Sequence, residues 1–258
     1  MNKNQIRAGL KKENLEFFRT YKFLGILIAF LFFAITDIVT IKFTPDILKA
    51  AGVDPLMMGA SFNPSFTAAM TSFIGDALMI GMLVAFIVLR NPGGKDVAAQ
   101  SCIIPISCGM KRSNYVVSKF LYYPVAVMLI SVFSYLFAAG LSLLIFDDPN
   151  LKIEIIIKSL VSFSVFVFFG VVLMLSLGIS TGKAGISAVV VLIIFNFAPS
   201  LLSLGNVNKY NPFALYSFSA TFESIENTDF FVSLAITAAI CILLPMITVY
   251  IFKRKRLK

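Results

Sequence analysis

Charged side chains inside apolar stretches are the residues of this sequence best placed to do chemistry. Asp37 and Asp76 lie within two such stretches, and Lys158 lies within a third. A buried, unpaired charge costs at least about 2.5 kcal/mol in a membrane, so each group should pair, face water or be neutral. We expect Lys158 to form an ion pair with one of the two aspartates. A packing pair and a place on a substrate or proton path are both open readings of that pair.

Residue types that many active sites need are missing or scattered. The sequence contains no histidine, which excludes a Ser-His or Cys-His catalytic pair. Its cysteines, Cys102, Cys108 and Cys241, have the spacing of neither a zinc site nor a disulfide framework. We therefore expect no catalytic, cofactor or metal site on this chain.

The segment closest to a phosphate-binding loop is Gly178-Ile-Ser-Thr-Gly182-Lys183-Ala184. It has one residue too few between its glycines, and Ala184 stands where such a loop needs a hydroxyl to bind Mg²⁺. It also follows an apolar helix and not a strand. We interpret it as a tight turn between two helices.

The elements that must position these residues are membrane helices. Of the 258 residues, 59% are hydrophobic and 14% are charged, against roughly 25% charged in an average soluble domain. Six apolar runs are long enough to cross the bilayer, although the fifth is marginal and contains Asn196 and Pro199, which could kink it. The predicted spans are Phe23 to Ile41, Phe66 to Leu89, Phe120 to Ile145, Ile153 to Leu177, Ile186 to Leu202 and Phe230 to Phe252. The fold class is thus an all-α polytopic membrane protein, with residues 1–258 forming one domain.

Basic residues predict the orientation of these spans. Six Lys or Arg residues precede the first span, five lie between the second and third, and five follow the last. The positive-inside rule therefore places both termini in the cytoplasm. The net charge of +9 is accordingly a topology signal. It does not indicate nucleic-acid binding, because the charges flank membrane spans and form no separate basic domain.

Segments outside the spans carry three further expectations. Residues 1–22 predict an amphipathic helix at the cytoplasmic interface, with an apolar face for lipid or for a partner protein. That face would contain Ile6, Leu10, Phe17 and Phe18, and the cationic face would contain Lys3, Arg7 and Lys11. Pro45-Asp46 resembles the start of a short helix, and the aromatic outer loop 203–229 predicts short interfacial helices.

The stretch between the second and third spans, residues 90–119, is too long for a simple turn. Gly93 and Gly94 should break the preceding helix. Lys95 to Ile104 should then form a short amphipathic helix that Pro105 ends.

This stretch resembles the cytoplasmic loop of ABC-2 type permeases, the membrane subunits of type V ABC exporters. In that family a coupling helix precedes a Pro-Ile-Ser turn, basic residues and a lysine that opens the third helix. The corresponding residues here are Pro105-Ile106-Ser107, Lys111-Arg112 and Lys119-Phe120-Leu121. The family's acidic-x-x-x-Gly-Thr signature is replaced: Asp96-Val97 stands at the Gly-Thr position and Pro92 at the acid.

The resemblance implies the membrane subunit of an ATP-driven exporter in a bacterial inner membrane. It implies a soluble ABC ATPase that holds ATP and Mg²⁺, a second permease copy, and an amphipathic substrate such as a peptide, as in the peptide-exporting or bacteriocin-immunity branch. The residues it assigns to ATPase coupling are Asp96, Gln100, Ile103, Ile104, Pro105, Lys111 and Arg112.

Two other classes of function compete with this reading. One is a secondary transporter driven by ions through Asp37, Asp76 and Lys158, although the two three-span halves have unlike loops and so lack the expected inverted repeat. The other is a membrane-embedded enzyme, for which the sequence offers no His-rich or paired-carboxylate constellation at either interface.

Overall fold

The computed structural model of the chain describes residues 3–50, 64–146, 152–202, 211–222 and 226–254, the last four residues of 152–202 by their backbone alone. Within these ranges all regular structure is helical, and no strand is present. The helices are α1 (Lys3–Arg19), α2 (Lys22–Ala50), α3 (Phe66–Val88), α4 (Ile103–Ser107), α5 (Arg112–Ile145), α6 (Ile153–Thr181), α7 (Ala184–Leu202), α8 (Ala214–Ala220) and α9 (Asn227–Arg254).

Five helices are long and apolar enough to cross a membrane, namely α2, α3, α5, α6 and α9. The chain is therefore a multi-pass membrane protein. The predicted fifth span coincides with α7, which is 19 residues long and apolar over its described part Ala184–Ala198. The helix α7 is not broken at Asn196 or Pro199, since it runs to Leu202, and the side-chain amide of Asn196 donates a hydrogen bond to the Leu192 carbonyl, 2.9 Å away. The expected kink stays a prediction.

One predicted helix start is wrong, and one helix begins before its predicted span. The helix α2 continues through Pro45 to Ala50, so Pro45-Asp46 starts no new helix. Next to the proline, Thr44 Oγ1 donates a 2.6 Å hydrogen bond to the Thr40 carbonyl of the preceding turn. The helix α5 begins at Arg112, eight residues before the predicted Phe120, because its polar first turns pack against α1.

The helix α6 forms the centre of the bundle. In its most apolar window 67% of the residues are buried, against 17% in α9 and 28% in α2. It contacts α5, α7, α8 and α9. Gly170 allows this packing, because a Cβ there would lie 2.5 Å from Met82 Cε and 2.9 Å from the Phe195 ring.

The short helix α8 belongs to the predicted outer loop 203–229. It packs into the bundle more deeply than an interfacial helix would, since Leu215 and Ser219 are fully buried. The Ser219 carbonyl accepts a 2.6 Å bond from Ser159 of α6, and the Ala220 carbonyl accepts a 2.7 Å bond from Thr71 of α3. Residues 203–210 and 223–225 of this loop lie outside the described part of the chain.

Candidate functional site

The stretch between α3 and α5 gathers at one end of the bundle with α1, the turn between α6 and α7, and the last turn of α9. We call this the basic end. The stretch consists of a π-helical turn, Asn91–Lys95, a single α turn, Asp96–Ala98, and the helix α4. The predicted helix from Lys95 to Ile104 is therefore wrong. Gln100 adopts a left-handed backbone (φ 59°) that interrupts it, and Pro105 lies inside the first turn of α4, where a helix needs no backbone donor.

Glycine backbones hold the start of this stretch against α6. Gly94 has φ 129°, and a Cβ there would lie 2.3 Å from the Gly178 carbonyl oxygen. A Cβ on Gly178 would lie 1.7 Å from the Gly93 carbonyl oxygen. Because no side chain fits between these backbones, the three glycines fix the stretch to the central helix. From the sequence, Gly93 and Gly94 were predicted only to break a helix; their contact with Gly178 was not predicted.

A buried ion pair anchors the next turn to α5. Lys119 has 1% of its side chain exposed, and its Nζ lies 2.7 Å from Asp96 Oδ2. The same ammonium lies 3.4 Å from the Pro92 carbonyl and 5.0 Å from the centre of the Tyr115 ring. The Tyr115 ring in turn stacks on Phe252 of α9 at 6.1 Å. Asp96 is thus turned into the bundle, where it positions the stretch.

The helix α1 packs against the junction between α4 and α5. Gln5 donates to the Gly109 carbonyl at 2.9 Å, and its side-chain oxygen accepts from Asn114 Nδ2 at 2.7 Å. Gly9 lies so close to Ser118 that a Cβ would meet it at 2.8 Å. The first helix therefore closes over the junction between the stretch and α5.

The buried face of α1 differs from the predicted apolar face. It consists of Gly9, Glu13 and Phe17, spaced four residues apart, whereas Phe18 is half exposed. Tyr123 donates a 2.6 Å hydrogen bond to Glu13 Oε2, and Lys12 lies 3.4 Å from Glu13 Oε1. The contact between Glu13 and Tyr123 was not predicted from the sequence. The i, i+4 spacing of Gly9, Glu13 and Phe17 is the signal that could have found them.

Beyond these anchors, α4 is only partly packed against the bundle, with Ile106 in contact with the core. None of its five residues is buried, and Ile104 is 69% exposed. Of the other residues assigned to coupling, Gln100 and Lys111 are exposed, and Ile103, Pro105 and Arg112 are half-buried. Cys108 beside α4 is also exposed, while Cys102 before it is buried. Burial raises the pKa of the Cys102 thiol.

Lys158 does not pair with either membrane aspartate. Its Nζ lies 2.7 Å from Glu154 Oε1, one turn away on α6, and donates to Asn227 Oδ1 of α9 at 2.7 Å. The predicted ion pair between Lys158 and Asp37 or Asp76 is therefore wrong. A lysine near a helix end finds polar partners at the membrane surface more readily than it reaches a carboxylate deep inside the span.

The two aspartates contact each other instead. Asp37 of α2 is 8% exposed, and the carboxyl of Asp76 on α3 lies within hydrogen-bonding reach of it. Asp37 Oδ2 is buried and accepts no hydrogen bond from a protein donor. Contact between two carboxyl groups in a low-dielectric span requires a proton or a cation between them. The chemistry open to this pair is the binding of one or the other.

Local backbone geometry sets the position of Asp76. A π-helical turn, Ala77–Gly81, follows it directly inside α3. Such turns are frequent at functional positions, because the extra residue redirects the side chains around it. Asp76 lines a cavity of about 210 Å³ together with Asn196 and Tyr216.

The segment Gly178 to Ala184 forms the tight turn that its sequence predicts. Gly182 ends α6 with a left-handed backbone (φ 74°), and Thr181 Oγ1 accepts a hydrogen bond from the Lys183 amide at 3.1 Å. This geometry is a helix C-cap and presents no phosphate cradle. In the described part of the chain no group of His, Cys, Asp and Glu residues is arranged to hold a metal ion.

Comparisons of the chain with protein-family models, with curated proteins and with solved structures gave no match.

Proposed function

We propose that this chain is the transmembrane subunit of an ABC exporter, driven by a separate ATPase chain. The observation that carries the proposal is the contrast between α4 and the residues just before it, 91–98. Those residues are fixed to α6 through Gly94 and to α5 through Asp96. By contrast, α4 has no buried residue, and the side chain of Ile104 is exposed. A small exposed helix on a rigid base suits a contact that receives force from another protein.

The anchors suggest how such force reaches the membrane. A push on α4 acts through the Asp96–Lys119 pair on α5 and through the glycine contact on α6, the central helix. The Gln5 bonds couple the same movement to α1. Packed helices shift as units and not by continuous deformation, so a small displacement at α4 would reorient whole spans.

In this proposal α4 lies in the cytoplasm, together with both termini and the rest of the basic end. ATP and Mg²⁺ bind to the partner ATPase, and this chain provides the path for an amphipathic substrate, which we take to be a peptide. Two permease copies, identical or closely related, would form the pathway in a bacterial inner membrane.

Substitution of Ile104 tests the proposal. Ile104→Asp should abolish co-purification of the chain with its proposed ABC ATPase partner and the ATPase activity of the complex, because it places a charge in the centre of the contact. Thermal stability should not change, since the side chain is exposed. The matched control is Leu15→Asp, which alters a half-exposed leucine of α1 at the same end. Normal ATPase activity with Ile104→Asp, or ATP binding by the isolated chain, would refute the proposal.

Ion-coupled secondary transport is the second candidate, and the contact between Asp37 and Asp76 favours it. Lys158 has no role in this candidate function, because it contacts Glu154 and Asn227 and neither aspartate. Substrate accumulation in proteoliposomes that hold this chain alone distinguishes the two candidates. Accumulation driven by a proton or sodium gradient, and lost with Asp76→Asn, would favour the ion-coupled transporter. A requirement for the ATPase and ATP would favour the exporter.

A further inference from the structure

A long groove of about 480 Å³ opens on the surface of the bundle where α1 and α2 both pack against α5. One wall comes from the end of α1 and the start of α2 and includes Phe18, Phe23 and Leu27. The other wall is a stripe of α5 that runs from Leu121 to Phe133. The residues that line the groove and their neighbours in sequence all belong to the described part of the chain.

The groove extends over one half of the membrane-crossing part of α5. Leu121 and Phe133 are 12 positions apart, which at 1.5 Å per residue is about 18 Å. The apolar run of α5 extends from Phe120 to Ile145, so Phe133 lies at its middle. One leaflet of the hydrocarbon core is about 15 Å thick. The groove is therefore about as long as the acyl region of one leaflet is deep.

The width of the groove excludes a helix. Its volume of about 480 Å³ over about 18 Å gives a mean cross-section of about 27 Å². A helix about 10 Å across with its side chains covers about 80 Å². Buried Phe17 contacts the rings of Phe18 and Tyr122 edge-on, at 5.9 and 5.7 Å, and so supports the two walls from below. A single hydrocarbon chain fits between these walls, whereas a helix of a second copy does not.

Polar groups line the groove only at its α1 end. Among the described residues that line it, Asn14 of α1 and Tyr122 of α5 are polar and the others are apolar. Tyr122 lies in the turn of α5 where the groove begins, and from Val125 to Phe133 the lining is hydrocarbon. The groove thus changes from polar to apolar with depth, as a phospholipid does.

Two cations of α1 lie beside the polar end. Arg7, Lys11, Asn14 and Phe18 follow each other at intervals of four, three and four residues, so they share one face of the helix. Arg7 and Lys11 are exposed, and neither forms an ion pair with a residue that the structure describes. The two acids of α1 contact other lysines. An anion at the mouth of the groove is therefore attracted by both cations.

We propose that this groove binds one anionic phospholipid, with an acyl chain along Leu121 to Phe133 and the headgroup at Arg7 and Lys11. Cations at the membrane surface hold anionic headgroups, and an apolar surface below them holds the chain. A soluble anion would leave the groove empty, and a zwitterionic lipid would leave the cations without a counter-charge. The site shares no residue with α4 or the aspartate pair, and it does not depend on the exporter function.

The experiment is native mass spectrometry of the full chain in detergent with dioleoyl phosphatidylglycerol. We expect one tightly held lipid per chain. Ala126→Phe fills the groove and should weaken binding about 15-fold, from about a factor of four for each of two displaced CH₂ groups. The matched control is Ala239→Phe, which enlarges an exposed alanine of α9 away from the groove and should leave the affinity unchanged.

The headgroup contact is tested separately. Arg7→Gln/Lys11→Gln should weaken binding about 25-fold, from about a factor of five for each cation. The control Lys95→Gln/Lys183→Gln removes two exposed cations elsewhere at the basic end and should have no effect. Arg7→Lys/Lys11→Arg keeps both charges and should bind the lipid normally.

A further variant covers the case in which Ala126→Phe fails to fold in detergent. Leu129 is 60% exposed, so Leu129→Gln keeps the fold and should also weaken binding. Its control is Ile242→Gln on α9, where the side chain is 59% exposed.

Four outcomes would overturn the proposal. Equal binding of dioleoyl phosphatidylcholine would show that the cations do not select the lipid. Equal binding of dihexanoyl phosphatidylglycerol would show that the long chain does not occupy the groove. Equal losses in a variant and its control would show non-specific attraction. A change in the monomer–dimer ratio of Ala126→Phe, with lipid binding unaltered, would show that a second copy occupies the groove.

Discussion

Two buried charged groups of this protein meet opposite kinds of neighbour. At the basic end, Lys119 is buried against the carboxylate of Asp96, the Pro92 carbonyl and the Tyr115 ring. Inside the membrane, Asp37 is buried against a second carboxyl, that of Asp76. The first arrangement is complete within the protein, so it serves as an anchor. The second brings two acids together in a low-dielectric region, so both cannot carry their charge unless a cation compensates it.

The largest effect should follow from opening the anchor. Asp96→Asn leaves the Lys119 ammonium buried without a counter-charge and should destabilise the protein by about 3–5 kcal/mol. Lys119→Met should cost less, because Asp96 is 20% exposed and can turn to water. Thermal unfolding in detergent measures both, and the double variant should lose less than the sum of the two. Strict additivity would show that the pair does not anchor the stretch.

Closing the glycine contact should have the next largest effect. Gly178→Ala places a methyl group against the Gly93 carbonyl and should cost about 1–3 kcal/mol, with loss of any activity that depends on α4. Gly185→Ala is the control, since a Cβ there meets nothing within 4 Å. Equal stability of the two variants would mean that the stretch is not held against α6.

The aspartate pair should respond in the opposite direction to the anchor. Asp37→Asn or Asp76→Asn replaces one carboxyl with an amide that donates to the other, so each should stabilise the protein by about 1 kcal/mol at pH 7.5. Thermal unfolding under the conditions used for Asp96→Asn makes the comparison direct. A loss of stability in both variants would show that the carboxyls are not in contact.

Lys158 provides a third kind of charge, one near the membrane surface with an exposed partner, to compare with the anchor and the aspartate pair. Its partner Glu154 is exposed, so Lys158→Met should have a small effect on the unfolding temperature. The double variant with Asp76→Asn should be additive, because the two residues have separate partners. Non-additivity would restore the ion pair that sequence analysis predicted.

The smallest expected effect is a difference in labelling rate between two thiols of the stretch between α3 and α5. At pH 8 a maleimide should modify exposed Cys108 before buried Cys102, whose raised pKa leaves less of the reactive thiolate. Mass spectrometry after partial labelling of Cys108→Ser and Cys102→Ser proteins gives the two rates. Similar rates would indicate that the stretch is not packed against the bundle.

Much of the fold could be predicted from the sequence because hydropathy is a one-dimensional property. Length and apolar content predicted an all-α membrane protein, and five of the six runs coincide with helices long enough to span. The spacing of Gly178, Gly182 and Lys183 was sufficient to exclude a phosphate loop and to predict a turn, since both depend on consecutive residues.

Pairing was decided only by the tertiary structure. Lys158 and Asp76 have the right charges to pair, yet Glu154 lies one turn away on the same helix and prevails because it is closer. The contact of Asp37 with Asp76, the burial of Glu13 and the approach of Gly94 to Gly178 join residues far apart in sequence. Each depends on the rotation of one helix against another, which hydropathy leaves undetermined because a helix that faces lipid on one side and protein on the other is apolar on both.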